Sequence, residues 1–207
     1  MENDDDIPTL SPEALQALQE FYQEQRKEAP DTVNEDWQLS QFWYNQKTSL
    51  TLAKAIVNLG NGKKVALVSC PTIYKPLKKL LLNRTIKTEI ALFEFDRRFG
   101  DMCDDYIFYD LNDDLNNYLQ FKNNFDVIVA DPPFLSEDCL TKVADFIKLI
   151  RKEDASLILC TGAIMEELGV KLLGVKKCRF KPEHENNLAN EFICMTNFGE
   201  LLLNDSN

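Results

Sequence analysis

Apolar residues along the chain fall into strand-length runs that alternate with segments of helical spacing. Five such runs cover residues 65–70, 89–96, 106–110, 125–130 and 156–160. The clearest helical segment is 137–151, where apolar residues recur every third or fourth position, at Leu140, Val143, Ala144, Ile147 and Ile150. This alternation predicts an α/β fold built on a mostly parallel, doubly wound sheet.

Both ends of the chain depart from this alternation. Segments 176–181 and 191–198 have strand patterns with no helix between them, which predicts an antiparallel end to the sheet. Near the start, Ser11-Pro12-Glu13 is typical of a helix N-terminus, and this helix should end before Pro30. We predict an acidic tail and helical extension over residues 1–36 and one domain over residues 37–207. A second helix, ending at Gly60, should turn these residues inward: Leu50, Ala53, Ile56 and Val57.

Composition narrows the class of protein. The 207 residues, 44% hydrophobic and 28% charged, suit one globular domain with a small extension. No apolar run reaches the roughly 18 residues that a membrane span needs, and the acidic first residues are unlike a signal peptide. The six cysteines are scattered without a C-x-x-C pair, which is typical of reduced thiols in a cytoplasmic protein. His184 is the only histidine, so no metal site is expected.

The formal net charge of −11 bears on the choice of partner. Proteins that bind nucleic acid usually present a basic surface to the phosphates, so nucleic acid is not expected as a partner. A basic protein would be attracted instead. A local basic patch remains open, because Lys75, Lys78, Lys79 and Arg84 lie close together in the sequence.

Acidic residues follow consecutive strands of the predicted sheet. Glu94 and Asp96 end the second strand, and Asp110 ends the third. Doubly wound sheets bind ligands beyond the carboxyl ends of their strands, where an acid after the second strand can accept hydrogen bonds from ribose hydroxyls. Turns also favour aspartate for structural reasons, so one such acid would be weak evidence. Together they predict an adenosine pocket.

The fourth strand ends in Asp131-Pro132-Pro133-Phe134. The prolines fix the backbone and remove two N–H donors, which leaves the Asp131 carboxylate and nearby carbonyls as acceptors beside an aromatic ring. Such a site suits an incoming amino group. The structural alternative is a Pro-Pro turn in which Phe134 fills the core.

Three motifs in order carry a resemblance to a known family, namely Gln41-Phe42-Trp43-Tyr44, Phe93-Glu94-Phe95-Asp96-Arg97-Arg98-Phe99 and Asp131-Pro132-Pro133-Phe134. They resemble a small eukaryotic group of seven-stranded, Rossmann-like S-adenosylmethionine-dependent methyltransferases with a D/N-P-P-Y/F motif. Its members were once described as N6-adenine DNA methyltransferases and are now regarded as lysine methyltransferases acting on translation elongation factor 1A. The similarity extends from about residue 37 onward.

The resemblance implies a role for each matching residue. Asp96, together with Glu94, would hold the ribose of S-adenosylmethionine, and Asp110 would lie near its adenine. In the segment Asp131-Pro132-Pro133-Phe134, Asp131 and the Pro132 carbonyl would orient the acceptor nitrogen, and Phe134 would lie against the substrate side chain. The loop after the first strand, Cys70-Pro71-Thr72, lacks the glycines usual at this place, so we expect Thr72 and the upstream aromatics to help hold the cofactor; these aromatics are Phe42, Trp43 and Tyr44. The structural alternative for these aromatics is that they are core residues that anchor the N-terminal segment.

Two alternatives to lysine methylation remain open from the sequence. The D-P-P-F motif alone is also compatible with N6-adenine methylation of DNA or RNA, which would require a basic groove. A non-enzymatic cofactor-binding or scaffold protein is suggested only by the missing glycines, and the intact Asp131 motif argues against it.

Overall fold

The computed structural model describes residues 33–199 except 83, 86 and 187. Its centre is a seven-stranded sheet in the spatial order β3-β2-β1-β4-β5-β7-β6. The strands are β1 (Lys64–Val68), β2 (Glu89–Glu94), β3 (Tyr106–Phe108), β4 (Phe125–Ala130), β5 (Arg151–Gly162), β6 (Lys176–Lys177) and β7 (Phe192–Thr196). The order reverses between β1 and β4, which makes this place the topological switch point.

Strand directions confirm the predicted mixed sheet. The five strands from β3 to β5 pair in parallel, whereas β7 runs antiparallel to both β5 and β6. Parallel neighbours need crossover connections, and antiparallel neighbours do not. The predicted α/β fold with an antiparallel C-terminal end is therefore confirmed.

Within the described residues four α-helices cover the sheet, and in two of them a polar side chain caps the start. The helices are α1 (Gln46–Leu59), α2 (Tyr74–Leu81), α3 (Glu137–Ile150) and α4 (Glu166–Leu173). Asn45 accepts a hydrogen bond from the Thr48 backbone N–H, and Ser136 accepts one from Cys139, so each side chain satisfies a donor that the helix leaves free. Because only Leu135 separates Ser136 from the D-P-P-F segment, α3 anchors the end of β4 closely.

The core on the α3 side of the sheet is rich in aromatic rings. Phe93 is fully buried and meets Phe146 edge to face at 5.1 Å between ring centroids, while Tyr109 stacks on Phe146 at 4.3 Å. Such contacts add to the stabilisation from burial alone. They hold β2 and the end of β3 firmly against α3, which gives the carboxyl edge of the sheet a rigid base.

Some predicted details differ from the structure. Leu50 was expected to point inward but is 36% exposed, because the buried face of α1 is formed by neighbours that include Leu52, Ala53 and Ile56. The strand predicted at 156–160 begins already at Arg151, directly after α3. The helical extension and the boundary at residue 36 stay predictions, because residues 1–32 lie outside the described part of the chain. No described helix has the length and apolarity to cross a membrane.

Candidate active site

Three neighbouring strands bring Glu94, Ser69 and Asp131 side by side. Val68 of β1 is in register with Phe93 of β2 and with Ala130 of β4. The residues that come next, Ser69, Glu94 and Asp131, are therefore neighbours across the three strands. Strands lie about 4.8 Å apart, which places the backbones of Glu94 and Asp131 roughly 10 Å from each other. The Ser69 N–H donates to the Phe93 carbonyl (2.8 Å), and the Asp131 N–H donates to the Val68 carbonyl (3.0 Å).

A cavity of about 480 Å³ opens at this edge of the sheet. Its volume lies in the range of small-molecule sites, and apolar surface predominates in its lining. Most residues that the sequence predicted for the site line it, namely Phe42, Trp43, Thr72, Glu94, Asp110, Asp131, Pro132, Pro133 and Phe134. Tyr44 and Asp96 lie outside its described lining.

Glu94 is the buried acid at the end of β2. Burial is the main cause that raises its pKa to about 7, and the nearby charge of Asp96 acts in the same direction. One carboxyl oxygen accepts a hydrogen bond from the Asp96 backbone N–H (3.0 Å). The remaining acceptor capacity of Glu94 is available to hydroxyl groups of a ligand in the cavity.

Asp96 has a different environment, although the sequence predicted it first for ribose binding. Its oxygens accept hydrogen bonds from the Gln41 amide (2.8 Å) and from the backbone and guanidinium of Arg98. Burial disfavours the charged form, but these hydrogen bonds outweigh it and lower the pKa of Asp96. Arg98 also donates to the Gln41 side-chain oxygen (3.0 Å), so the three side chains form one closed cluster. Asp96 thus connects β2 to the segment before α1.

Asp131 lies on the floor of the cavity with part of its surface accessible. Loss of contact with water inside the protein raises the pKa of the Asp131 carboxyl group to about 7. The nearby Tyr44 hydroxyl, as a donor, opposes this shift, and the charge of Glu94 adds to it. Pro132 is buried, whereas Phe134 is 45% exposed at the mouth of the cavity. The structural alternative, in which Phe134 fills the core, is therefore wrong. The ring is free to contact a substrate side chain.

The glycine-free loop after β1 still adopts the backbone conformation that glycine favours. Ser69 has a φ of 54°, in the left-handed region. Non-glycine residues seldom adopt it because of the contact between Cβ and the backbone. The chain then turns through Pro71–Ile73 directly into α2. A turn of the glycine type is thus present without the glycine, and Ser69 and Thr72 line the cavity beside it.

Two further segments cover the cavity, and of their lining residues only Gln41 belongs to a motif noted in the sequence. The first is residues 38–41, and the second is the connection between β6 and β7, where His184, Leu188 and Asn190 line the cavity. The Trp43 carbonyl accepts from the Glu185 N–H (2.8 Å), and the Asn45 N–H donates to the Glu183 carbonyl (2.9 Å). No local pattern marks these residues as site residues, since they meet only through the tertiary fold. His184 is the only histidine of the sequence, but it stands in the polar stretch Glu183-His184-Glu185 and did not indicate a site.

The remaining site residues have ordinary surroundings. Asp110 accepts a hydrogen bond from the Asn112 N–H (2.8 Å) at the end of β3. Trp43 meets Phe99 edge to face, with 6.0 Å between ring centroids. Among the described residues, no group of three or more His, Cys, Asp or Glu side chains is arranged to hold a metal ion. The arrangement therefore offers acceptors and rings for an organic ligand with hydroxyl and amino groups.

Solved structures resemble the chain in fold. A TehB-like SAM-dependent methyltransferase from Corynebacterium glutamicum matches with a TM-score of 0.50 at 15% identity, over 90% of this chain and 98% of that one. A branched-chain polyamine synthase mutein from Thermus thermophilus also gives 0.50, at 13% identity, over 86% of this chain and 62% of that one. Because these two proteins are named for different reactions, the fold alone does not select the chemistry.

Sequence relatives are more informative. The family model described as "Probable N6-adenine methyltransferase" matches residues 35–200. Proteins named EEF1A lysine methyltransferase 1 are 47% identical in Mus musculus and 44% identical in Homo sapiens, each alignment covering 94% of this chain and 94% of the relative. A Caenorhabditis elegans protein-lysine N-methyltransferase is 39% identical, over 97% of this chain and 99% of the relative. The chain therefore belongs to the family of the EEF1A lysine methyltransferase 1 proteins, a family whose model is described in terms of N6-adenine methylation.

Proposed function

We propose that this chain is a protein-lysine N-methyltransferase that transfers methyl groups from S-adenosylmethionine to a lysine of translation elongation factor 1A. The relatives named for this activity align over nearly the whole of both chains. The structural observation that carries the proposal is the Asp131–Phe134 segment, which forms the floor and mouth of the cavity while Glu94 lies two strands away. The distance suits a ligand that reaches from a ribose site to an acceptor site.

The residues present fit S-adenosylmethionine. Glu94 is a buried carboxyl with acceptor capacity for ribose hydroxyls, and Asp110 can accept from an adenine amino group. Trp43 offers an aromatic surface, and Thr72 lies beside the turn after β1. When bound, this cofactor supplies a methyl group on a positively charged sulfur. The carboxyl groups of Glu94 and Asp131 match that positive charge, since a cation nearby favours their ionised forms.

Asp131 and Phe134 would receive the acceptor lysine. A lysine arrives as an ammonium ion with an ordinary pKa of about 10.4, and it must be neutral to attack. The Asp131 carboxylate and the Pro132 carbonyl can accept hydrogen bonds from the nitrogen and align its lone pair, while the apolar cavity favours loss of the proton. The Phe134 ring can hold the cationic or methylated amine at its face. Positioning is the main contribution of these residues.

N6-adenine methylation is the second candidate, because the description of the family model names it. The D-P-P-F segment suits an exocyclic amino group equally well. The net charge of −11 argues against this candidate. Bringing a base into the cavity costs the energy of unstacking, and contacts with phosphates, which a negatively charged protein disfavours, would have to offset that cost. The same charge favours a basic protein substrate. A cytoplasmic location agrees with this substrate and with the six buried cysteines, which form no disulfide.

Label transfer tests the proposed function. The purified chain is incubated with radiolabelled S-adenosylmethionine and recombinant elongation factor 1A, and the products are treated with protease or with nuclease. We expect protease-sensitive label on the elongation factor, and mass spectrometry then locates the modified lysine. Asp131→Ala should abolish the label, while Asp138→Ala, the same change at an exposed aspartate in the first turn of α3, should retain it. Label on nucleic acid that only nuclease removes would favour adenine methylation instead.

A further inference from the structure

Tyr44 has a buried hydroxyl group that lacks a well-formed hydrogen bond. The residue is 3% exposed, and its hydroxyl finds no partner of good geometry among the described residues. Buried side-chain hydroxyls in folded proteins are nearly always satisfied. Tyr44 is one of three such exceptions among the described residues, and a poorly formed contact of this kind can be completed in another state of the site.

The group that the Tyr44 hydroxyl faces is the Asp131 carboxyl. The two are near enough that the hydroxyl lowers the pKa of the carboxyl, although their geometry falls short of a good hydrogen bond. Hydrogen bonds between catalytic groups are often long or poorly aligned in the free enzyme and tighten when substrate binds. Tyr44 itself is not among the residues that line the cavity, whereas Asp131 is.

The surroundings of Tyr44 hold its ring in place. Its backbone pairs with that of His184, and the two rings pack at 4.9 Å between centroids. The next residue, Asn45, caps α1 and bonds to Glu183 through both its backbone and its side chain (2.9 and 3.0 Å). A ring fixed at both the backbone and the side chain keeps its hydroxyl in one place, as a group that orients another group must.

We propose that Tyr44 is a positioning residue, whose hydroxyl donates a hydrogen bond to the Asp131 carboxylate in the methyl-transfer complex and fixes the direction in which that carboxylate meets the acceptor amine. This role rests on the proposed function and deepens it. The phenol uses one lone pair of the carboxylate and leaves the others for the substrate nitrogen. Burial, followed by the charge of Asp131, raises the pKa of Tyr44 well above its usual value, so the phenol keeps its proton as a donor.

Among the titratable groups around Asp131, Tyr44 is the one whose hydroxyl, as a hydrogen-bond donor, favours the ionised form of the carboxyl group. Glu94 opposes ionisation of Asp131 by its charge. Two thiols, Cys70 and Cys139, lie near Asp131. Burial, together with the charge of Asp131, raises the pKa of both thiols, so they keep their protons and carry no charge. Cys160 lies on β5 beside Tyr44 and Cys70. Removal of the phenol should therefore raise the pKa of Asp131.

Tyr44→Phe tests the role, with Tyr106→Phe as the matched control. Tyr106 also has a buried hydroxyl without a hydrogen-bond partner, but it starts β3 and does not line the cavity. For Tyr44→Phe we expect kcat to fall about 10- to 100-fold, with the cofactor dissociation constant within about twofold of the wild-type value. The acidic limb of the pH–rate profile should move to higher pH. Tyr106→Phe should match the wild-type enzyme in all three measurements.

Carboxyl NMR of the 13C-aspartate-labelled protein provides a test that does not depend on activity. The Asp131 resonance, assigned with Asp131→Asn, should titrate at higher pH in Tyr44→Phe than in the wild-type chain and in Tyr106→Phe. Equal titration curves together with an unchanged kcat would overturn the proposal, even if the wild-type chain methylates elongation factor 1A. A shifted titration in a chain without methyltransferase activity would instead overturn the proposed function and leave the Tyr44–Asp131 contact standing.

Discussion

Glu94 and Asp131 lie two strands apart on either side of Ser69, and both carboxyl groups have a pKa of about 7. Burial is the first cause in both cases, and the charge of Glu94 adds to the shift of Asp131. Near neutral pH the pair therefore holds protons that ordinary carboxyl groups would have lost. A positively charged ligand bound between them would favour ionisation of both, which links cofactor binding to proton release.

The first prediction separates methyl transfer from cofactor binding. Asp131→Ala and Phe134→Ala should each lower kcat by about 100-fold or more, because positioning of the acceptor is lost. Both variants should keep most of their affinity for S-adenosylmethionine, since Glu94 and the two segments that cover the cavity are unchanged. Single-turnover kinetics and calorimetry measure the two quantities. Near-normal turnover in both variants would place the acceptor site elsewhere.

A second prediction distinguishes the two acids after β2. Glu94→Ala should weaken cofactor binding by about 1–3 kcal/mol through lost hydrogen bonds. Asp96→Ala should act mainly on stability, because Asp96 is 5% exposed and its oxygens hold Gln41 and Arg98. The effects of Asp96→Ala and Arg98→Ala should be non-additive, since each removes the same contact. A purely additive double-mutant cycle in chemical denaturation would contradict this interpretation.

The third prediction concerns the strained turn at Ser69. Ser69→Gly should leave the free energy of unfolding unchanged or raise it by up to about 1 kcal/mol, because glycine adopts a positive φ without penalty. Ser69→Val should lower it by about 1–2 kcal/mol, because a β-branched residue is strongly disfavoured in this region. Urea denaturation measures both. Similar stabilities for the glycine and valine variants would show that the turn carries no strain.

The fourth prediction is a pH dependence of stability. The folded-state pKa of Glu94, about 7, lies above its unfolded value of about 4.3, so between these values the folded state binds more protons than the unfolded state. Its contribution to the free energy of unfolding is thus most favourable below about pH 4 and falls as the pH rises to about 7, by on the order of 2–4 kcal/mol.

Substitution of Glu94 checks this dependence. Glu94→Gln should flatten the decline of stability between pH 5 and 8, while Glu89→Gln, at the exposed start of the same strand, should leave the slope as it is. Denaturation curves at several pH values give the slopes. A wild-type slope in Glu94→Gln would mean that Glu94 is ionised throughout this range.

The fold class, and the place of the Asp131–Phe134 segment at the end of a central strand, could be predicted from the sequence. The alternation of apolar strands and helices favours a doubly wound parallel sheet. In such a sheet the carboxyl ends of β1, β2 and β4 lie at the same edge. Asp131 could be predicted as a site residue because two prolines in succession constrain the backbone locally. The mixed sheet was predicted for the same kind of reason, since no helix separates the last two strands.

Long-range contacts in the folded chain set which acid after β2 lines the cavity and which segments cover it. Glu94 and Asp96 are two residues apart, and contacts with Gln41, 55 positions away, engage the second one. In the sequence Tyr44 is one of three adjacent aromatic residues, but in the structure it pairs with His184 and its hydroxyl lies near Asp131. The left-handed turn at Ser69 has no signal without glycine. These features arise from contacts between distant parts of the chain, which no local pattern of residues encodes.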